Sequence, residues 1–443
     1  MVLLRYDGGS LLIQGEVGTP YGQWDPRVGT FRAMAIHYPE ILSYLERSNI
    51  LYRDEAANPP PVPPLSCSVV LRSYQKMALD AWFDAGRKGV IVLPTAAGKT
   101  YIALKAIELL NVATLIVVPT LDLLDQWRQH IFIQFGVEVG VYGGGEDLLR
   151  PITVSTYDSA YIRAEQLGNK FMLIIFDEVH HLPAPSYSQI AEMYIAPYRM
   201  GLTATYERED GGHLDLPRLV GGHVYQLGVD ALAGKHLSPY THEKIYVDLT
   251  PEEQIIYQRE YSIFTSYLKR KRLVLRSPGD FRRFIMRTGV DPEGREALLA
   301  RNRALKTALN SEAKIKILGK FLNIYGEKKA LVFTRFNQLV YMISRQFLIP
   351  AITHKTPREE RKEILKKFKA GEYRAIVTSQ VLDEGVDVPE ASIGFILSGT
   401  GSSREYIQRL GRILRKRRGK QAKLIEIIAR ETVETRISQR RHR

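Results

Sequence analysis

The sequence carries Leu93-Pro94-Thr95-Ala96-Ala97-Gly98-Lys99-Thr100 at the end of an apolar run, Val-Ile-Val-Leu, that occupies residues 90–93. An apolar β-branched run followed by Gly-Lys-Thr and a helical pattern predicts a strand, a phosphate-binding loop and a helix. Backbone amides at the helix N-terminus face the phosphates, and the helix dipole favours the anion. We therefore expect residues 94–100 to bind a nucleoside triphosphate, with Lys99 at the β- and γ-phosphates and the Thr100 hydroxyl on Mg²⁺. The strict pattern has Gly where this chain has Leu93.

A pair of carboxylates follows a second apolar run. Residues 173–176, Leu-Ile-Ile-Phe, are followed by Asp177-Glu178-Val179-His180. Because open α/β sheets bind ligands at the carboxyl ends of their strands, we expect Asp177 to hold Mg²⁺ and Glu178 to polarise the attacking water. The alternative is a solvated acidic turn. Carboxylates at a strand end are costly unless a cation or donors satisfy them, and Lys99 with Mg²⁺ is the expected partner.

The same sheet pattern occurs twice along the chain. Apolar β-branched runs alternate with amphipathic helical runs, which predicts an α/β fold with two parallel-sheet lobes. In the N-terminal part we expect a strand at residues 11–16 and a helix over residues 32–53, and we expect flexible connections near residues 230–250. The predicted boundaries are 1–58 for a small N-terminal domain, 59–68 for a stiff proline-rich linker, 69–230 for the first lobe, 231–249 for a connector, 250–305 for a basic helical insert and 306–443 for the second lobe.

Composition narrows the classes of function. The net charge is +14, from 62 basic and 48 acidic residues, and a surplus of this size favours an anionic partner such as nucleic acid over generic surface charge. Cys67 is the single cysteine, so an internal disulfide or a cysteine zinc site is excluded. The sequence shows no apolar run of about 20 residues and no signal-peptide pattern, so we expect an intracellular protein that does not span a membrane.

Taken together with Thr203-Ala204-Thr205 and with Gln408-Arg409-Leu410-Gly411-Arg412-Ile413-Leu414-Arg415, these motifs resemble those of superfamily two helicases, whose two lobes are RecA-like. The resemblance implies that ATP and Mg²⁺ are the cofactors and that Arg412 and Arg415 reach the γ-phosphate from the second lobe. The alternative interpretation of residues 408–415 is a basic helix that is exposed to solvent or contacts DNA. By the same resemblance, the further nucleotide contacts are Arg72, Gln75, Gly385, Asp387 and Gln408.

The family resemblance also implies contacts with nucleic acid. Hydroxyl side chains of the family grip the phosphate backbone, which positions a strand without reading its sequence, although each such hydroxyl could equally stabilise a turn. The candidates are Thr120, Thr156, Thr334, Arg335, Ser379 and Gln380. The insert adds the basic cluster Lys269-Arg270-Lys271-Arg272, for which we expect DNA as the partner; most of its aromatic side chains are expected to form the insert's own core.

Two features narrow the resemblance to the XPB-type helicases, and the short chain resembles their archaeal members. Arg208-Glu209-Asp210, directly after the Thr-Ala-Thr motif, looks like their strand-opening element, although a charged surface turn would have the same composition. The insert resembles their thumb, and the N-terminal block resembles their damage-recognition domain. The resemblance implies the opening of duplex or forked DNA in nucleotide excision repair, a role in transcription, a partner nuclease as in archaea, and a cytoplasmic, nucleoid-associated location in a prokaryotic cell.

Three alternatives remain open at this stage. The first is a double-strand DNA translocase that does not unwind. The second is a damage-binding scaffold whose ATP site only switches conformation. The third is an RNA helicase, because a grip on the phosphate backbone alone does not separate DNA from RNA.

Overall fold

A computed structural model describes residues 1–15, 17–208, 210–379, 391–399, 402–414 and 420–441. They form two compact units, Met1–Ala231 and Leu232–Arg443. Each unit contains a parallel sheet covered by helices, which confirms the predicted α/β class with two parallel-sheet lobes. Within the described ranges, no helix is both long and apolar enough to cross a bilayer.

The first unit begins with a five-stranded sheet in the order β3-β4-β2-β1-β5. The expected helix over residues 32–53 is wrong at both ends, because strands flank a shorter helix. Pro39 lies in the helix's first turn, where proline is tolerated, and Asn49 has a left-handed backbone (φ 52°) just past its end. The elements are β1 (Val2–Asp7), β2 (Ser10–Gln14), β3 (Gln23–Asp25), β4 (Thr30–Met34), α1 (Tyr38–Arg47) and β5 (Tyr52–Glu55).

An eight-stranded sheet forms the first lobe, in the order β13-β6-β12-β11-β7-β10-β8-β9. All neighbouring strands are parallel except β8 and β9, so the carboxyl ends of the central strands share one edge. Its elements are α2 (Ser73–Asp84), β6 (Lys88–Val92), α3 (Lys99–Leu110), β7 (Thr114–Val118), α4 (Leu121–Phe135), β8 (Gly140–Gly143), β9 (Glu146–Leu148), β10 (Ile152–Thr156), α5 (Tyr157–Ile162), α6 (Ala164–Leu167), β11 (Leu173–Asp177), α7 (Ser188–Met193), β12 (Tyr198–Thr203), α8 (Leu216–Leu219), β13 (His223–Gln226) and α9 (Val229–Leu232).

The N-terminal sheet is docked on the first lobe. The Tyr6 hydroxyl donates to the carbonyl of Ala164 at 2.9 Å and lies 3.0 Å from the carbonyl of Met193. Burial raises the pKa of Tyr6, so the phenol stays protonated and able to donate. Ile195 of the first lobe is buried in the apolar core of the N-terminal sheet, so the two share a core.

The proline-rich segment is fixed to the first lobe as well. Residues 57–72 adopt neither helix nor strand, yet Leu65 and Cys67 are buried. The amide of Leu65 donates to Asn111 Oδ1 at 2.9 Å, and the amide of Cys67 donates to Glu108 Oε1 at 3.0 Å. Side chains of and just after α3 therefore satisfy the backbone of a segment that has no ladder partner.

The sheet of the second unit has the order β14-β19-β18-β15-β17-β16, and every neighbouring pair is parallel. Strand β14 lies inside the range expected to be a flexible connector. Its polar, partly exposed residues lack the all-apolar pattern of a central strand. The elements are β14 (Tyr240–Val247), α10 (Pro251–Arg270), α11 (Pro278–Arg287), α12 (Pro292–Leu309), α13 (Glu312–Ile324), β15 (Ala330–Phe333), α14 (Asn337–Phe347), β16 (Ala351–Ile352), α15 (Arg358–Ala370), β17 (Ala375–Thr378), β18 (Ile393–Ile396), α16 (Ser403–Ile413), β19 (Ala422–Ala429) and α17 (Val433–Arg441).

Helices α10, α11 and α12 make up the basic insert. Each has proline in its first turn and a capping hydroxyl or carboxylate just before it, Thr250, Ser277 or Asp291, which is the local signal that starts a helix. The insert has its own apolar cluster, in which Phe264 and Phe284 are buried. Most of its aromatic side chains are therefore core residues and are not available to stack on bases.

Candidate nucleotide-hydrolysis site

The phosphate loop connects β6 to α3. Helix α3 begins at Lys99, and Gly98 before it has a left-handed backbone with φ of 77°. A Cβ on Gly98 would lie 2.5 Å from Nε2 of Gln75, so both conformation and space require glycine here. Leu93, which replaces the glycine of the strict pattern, is fully buried, and its carbonyl accepts from Lys99 Nζ at 3.1 Å.

Helix α2 holds this loop in place. Gln75 Nε2 donates to the carbonyls of Ala97 at 2.9 Å and Gly98 at 3.3 Å, and its Oε1 accepts from the amide of Arg72 at 2.9 Å. The Tyr74 hydroxyl donates to the carbonyl of Ala97 at 2.7 Å. The sequence pointed to Gln75 as a nucleotide contact but missed both the role of Tyr74 and the structural use of the Gln75 amide.

Asp177 ends strand β11 at the same sheet edge and is only 7% exposed. Its Oδ2 accepts from the indole Nε1 of Trp127 at 2.8 Å, and its Oδ1 accepts from the amide of Glu178 at 3.0 Å. Burial raises the pKa of Asp177, while the Trp127 hydrogen bond and the charge of Lys99 oppose that shift. Sequence reasoning gave Lys99 and Mg²⁺ as the partners of this carboxylate and missed Trp127, whose only signal was an indole N–H that needs an acceptor when buried.

Glu178 occupies a strained position beside Asp177. Its backbone is left-handed with φ of 49°, which is unusual for a residue other than glycine and is typical of functional sites. Its Oε2 is buried without a hydrogen bond from any described residue, and Nδ1 of His180 lies 3.4 Å away. The same His180 nitrogen lies 3.2 Å from the Thr203 hydroxyl, which joins the acidic motif to the Thr-Ala-Thr motif.

The residues predicted to open DNA strands are linked to the acidic motif. Arg208 donates to the carbonyl of His180, and its guanidinium pairs with both carboxylate oxygens of Asp210 at 2.9 and 2.6 Å. Asp210 Oδ1 also accepts from the amide of Gly212 at 3.0 Å. The third predicted residue, Glu209, lies outside the described residues. Arg208 and Asp210 thus hold each other and the turn that contains them.

Two predicted phosphate contacts in the first lobe are helix caps. The Thr120 hydroxyl accepts from the amide of Leu123 at 3.3 Å at the start of α4, and the Thr156 hydroxyl accepts from the amide of Ser159 at 3.2 Å at the start of α5. Both follow or end strands whose carboxyl ends lie at the edge of the phosphate loop. The turn-stabilising interpretation therefore describes what these hydroxyls do in this structure.

The second unit contains the remaining candidates. Thr334 is buried and its hydroxyl donates to the carbonyl of Phe336 at 3.2 Å, whereas the amide of Arg335 donates to Ser398 Oγ at 2.8 Å. Ser379 is 5% exposed. On α16, Gln408 is 2% exposed and Arg412 is 7% exposed. Outside the described residues lie Gln380, Gly385, Asp387 and Arg415.

The insert presents a band of exposed cations. Arg270 of the predicted cluster pairs with Glu293 at 2.9 Å, and Lys271 lies 3.9 Å from that carboxylate. Other exposed insert cations form no ion pair with any residue that the structure describes, which leaves their charge available to an anionic partner. They include Lys269, Arg272, Arg276, Arg282 and Arg287.

The first-lobe residues fit a magnesium nucleotide. Helix α3 offers its unpaired first amides, and Thr95 Oγ1 is buried without a hydrogen bond to any described residue. Asp177 has one donor on each oxygen, which leaves lone pairs for a cation. Magnesium is typically held by one or two carboxylates together with phosphate oxygens, and Asp177 with the Thr100 hydroxyl supplies that kind of donor set.

A phosphate loop, an Asp-Glu pair at the same edge of a parallel sheet and a second unit with a parallel sheet define the class of two-lobed phosphate-loop NTPases. Family models match three parts of the chain. Residues 4–56 match the Xeroderma pigmentosum group B helicase damage recognition domain, residues 68–208 match the res subunit of type III restriction enzymes, and residues 313–417 match the helicase conserved C-terminal domain. The chain belongs to the XPB family of superfamily two helicases.

Several relatives carry that family assignment. The chain is 47% identical, over 100% of both chains, to the DNA 3'-5' translocase XPB2 of Sulfurisphaera tokodaii. It is 29% identical to the DNA 3'-5' helicase XPB of Mycobacterium tuberculosis, over 84% of this chain and 63% of that protein. The Hef helicase domain of Pyrococcus furiosus shares the fold, with a TM-score of 0.54 and 18% identity over 84% of this chain and 98% of that one.

Proposed function

We propose that this chain is an ATP-dependent DNA helicase or translocase that moves in the 3′ to 5′ direction and opens DNA during nucleotide excision repair and in transcription. One observation carries the proposal: Asp177 and Glu178 lie at the sheet edge that also bears the phosphate loop, with Asp177 held as an oriented, buried carboxylate. The direction is proposed from the names of the relatives, and the repair role from the damage-recognition match over residues 4–56.

Each site residue has a defined part in the proposed hydrolysis. Lys99 leaves the Leu93 carbonyl, its acceptor in this structure, to neutralise phosphate charge. Glu178 orients water with its Oε2, which accepts no hydrogen bond from a described residue. Asp177 and the Thr100 hydroxyl would hold Mg²⁺, which would supply positive charge against the phosphates. Arg412 and Arg415 are proposed to stabilise the transition state from the second lobe, together with Gln408, Gly385 and Asp387.

We also propose a function for each of the predicted domains. We assign residues 1–58 to damage recognition, 69–230 and 306–443 to the two motor lobes, and 250–305 to a thumb that holds DNA. The support for the thumb is its set of exposed cations without ion pairs in the described structure. Thr120, Thr156, Thr334, Arg335, Ser379 and Gln380 are assigned to the phosphate backbone. The proposed setting is the prokaryotic cytoplasm, beside the nucleoid.

The test is the ATPase rate without polymer and with duplex DNA, forked DNA or RNA, paired with a strand-separation assay. We expect DNA to stimulate the rate more than RNA, and Lys99→Ala to reduce it about 10²- to 10³-fold. Greater stimulation by RNA would reject the DNA assignment. DNA opening that survives Lys99→Ala would show that the ATP site is only a switch.

A second candidate function is translocation along duplex DNA without unwinding. One observation favours it, because the relative that matches over its full length is named a translocase. A translocase displaces a roadblock from duplex DNA without releasing a single strand. Displacement of a bound protein from duplex DNA, measured beside strand separation on a fork, distinguishes the two activities. A partner nuclease belongs to the proposal as well, and it predicts that incision of bubble DNA requires a second protein.

A further inference from the structure

Trp127 contacts the hydrolysis site through its indole nitrogen. Its side chain is 2% exposed, and its indole Nε1 donates to Asp177 Oδ2 at 2.8 Å. An indole nitrogen only donates, so this contact favours the ionised carboxylate and fixes its rotation. A ligand whose orientation is fixed by an outer hydrogen bond binds metal more tightly than one that turns freely.

Helix α4, which carries Trp127, begins at a predicted DNA contact. Thr120 is the N-cap of α4, and Trp127 follows it by seven residues. Seven residues make about two helical turns, so the two positions lie on the same side of the helix about 10 Å apart. The helix therefore spans from the carboxyl end of β7 to the carboxylate that ends β11.

We infer that Trp127 is a positioning residue that holds Asp177 for magnesium, and that α4 thereby connects the DNA-contacting hydroxyl of Thr120 to ATP hydrolysis. A shift of α4 on binding a strand would move the indole relative to the carboxylate. The coupling part rests on the proposed function, whereas the positioning part rests only on the contact between Trp127 and Asp177.

The chain offers a matched control in Trp82. It is fully buried in the same lobe, and its Nε1 donates to the carbonyl of Arg199 at 2.9 Å. Trp127→Phe and Trp82→Phe thus remove the same N–H group and the same volume from buried sites. Both variants are first compared with the parent by thermal unfolding, because either exchange lowers stability.

The first experiment titrates Mg²⁺ in the ATPase assay of these two variants, with and without single-stranded DNA. We expect Trp127→Phe to raise the magnesium concentration for half-maximal rate about 10- to 100-fold and to lower the stimulation by DNA, with Trp82→Phe near the parent in both. Equal magnesium requirements in the two variants would overturn the positioning role. Equal stimulation would overturn the coupling role. If the parent is not stimulated by DNA, the proposed function fails instead, and the magnesium comparison still stands.

The second experiment follows Trp127 itself by fluorescence, independently of turnover. The chain has three tryptophans, so Trp24→Phe combined with Trp82→Phe leaves Trp127 as the single tryptophan, and Trp24→Phe combined with Trp127→Phe leaves Trp82. We expect Mg²⁺ with ADP to change the emission of Trp127 and not that of Trp82. Calorimetric binding of Mg²⁺ and ADP without any change at Trp127 would overturn the inference.

Discussion

The central strands of the two parallel sheets follow the same order, but the residues at the carboxyl ends of these strands differ. In the first unit β11, β7 and β10 are neighbours, and in the second unit β18, β15 and β17 are neighbours in the same way. Hydroxyl side chains follow or end the equivalent strands, with Thr156 at the end of β10 and Ser379 after β17. The carboxyl ends of β11 and β18 differ, because β11 ends in Asp177, whereas Ser398 lies two residues beyond the end of β18.

The free-energy cost of burying the side chain differs between these two residues. Ser398 is neutral, fully buried and accepts one hydrogen bond, from the amide of Arg335. Asp177 must be desolvated as a charge, and it receives an indole N–H and an amide. A buried charge is maintained only with such partners. The comparison indicates that the two sheets supply a common scaffold and that a carboxylate at one strand end distinguishes the lobe to which we assign magnesium.

The strongest test substitutes Asp177 and Ser398 separately. We expect Asp177→Asn to reduce the DNA-stimulated ATPase about 10³- to 10⁵-fold, on the scale of other essential charges in phosphoryl transfer. Ser398→Ala leaves one amide without its acceptor and affects stability more than rate. Steady-state ATPase at saturating magnesium measures both. A rate loss from Ser398→Ala as large as that from Asp177→Asn would remove the distinction between the sheets.

The second unit has a buried ion pair of its own, which we expect to be structural. Lys314 is fully buried, pairs with Glu434 and donates to the carbonyl of Leu397 at 2.8 Å. Lys314→Met leaves a carboxylate buried without its cation, so we expect a loss of about 3–5 kcal/mol in the free energy of unfolding. Urea unfolding of the parent and the variant measures this loss.

The control for this prediction is the double variant Lys314→Met with Glu434→Leu. It removes both charges and is expected to recover part of the lost stability, although the amide of Ala429 then loses its acceptor on Glu434. A single variant within about 1 kcal/mol of the parent would contradict the structural role of the pair.

The sequence predicted more of the first sheet than of the second unit. The phosphate loop and Asp177-Glu178 could be recognised because each motif is local and follows an all-apolar strand. Trp127 could not be assigned, since its acceptor is 50 residues away along the chain and only the parallel strand order brings them together. Strand β14 was missed for a different reason. It is an edge strand, and most of its residues are polar and only partly buried.

The insert provides a third test, of intermediate size. We expect Arg272→Glu combined with Arg282→Glu to weaken DNA binding about tenfold and to lower the slope of log affinity against log salt by about two, one for each phosphate that is no longer neutralised. Lys362→Glu is the matched control, because Lys362 is exposed on α15 and already paired with Glu359. Fluorescence anisotropy across a salt series measures these slopes. Identical slopes in the two proteins would place the DNA elsewhere.

The smallest expected effect concerns Arg208 and Asp210. Asp210 is about half exposed, so the pair contributes about 0.2–1 kcal/mol. Hydrogen bonds from Arg208 hold the pKa of Asp210 well below its ordinary value. Its stabilising contribution is therefore complete above about pH 4, the unfolded value, and is lost as pH falls through the lower folded value.

Asp210→Asn is expected to remove this component of the acid dependence and to leave the basal ATPase unchanged. Thermal unfolding between pH 2 and pH 5 compares the variant with the parent, and Asp280→Asn in the insert, which breaks a similar pair with Arg283, is the control. Acid profiles of parent and Asp210→Asn that coincide would show that the pair is absent in solution.

The contact between Tyr6 and the carbonyls of Ala164 and Met193 has a mechanical consequence. The N-terminal sheet shares an apolar core with the first lobe, and the proline-rich segment is hydrogen-bonded to side chains of and just after α3. The sheet is therefore held against the first lobe. If that sheet inspects a base pair and the first lobe grips phosphates, as proposed, the length of DNA between the two points is a constant of the fold. A lesion met by the sheet would then always lie the same number of nucleotides from the gripped phosphates.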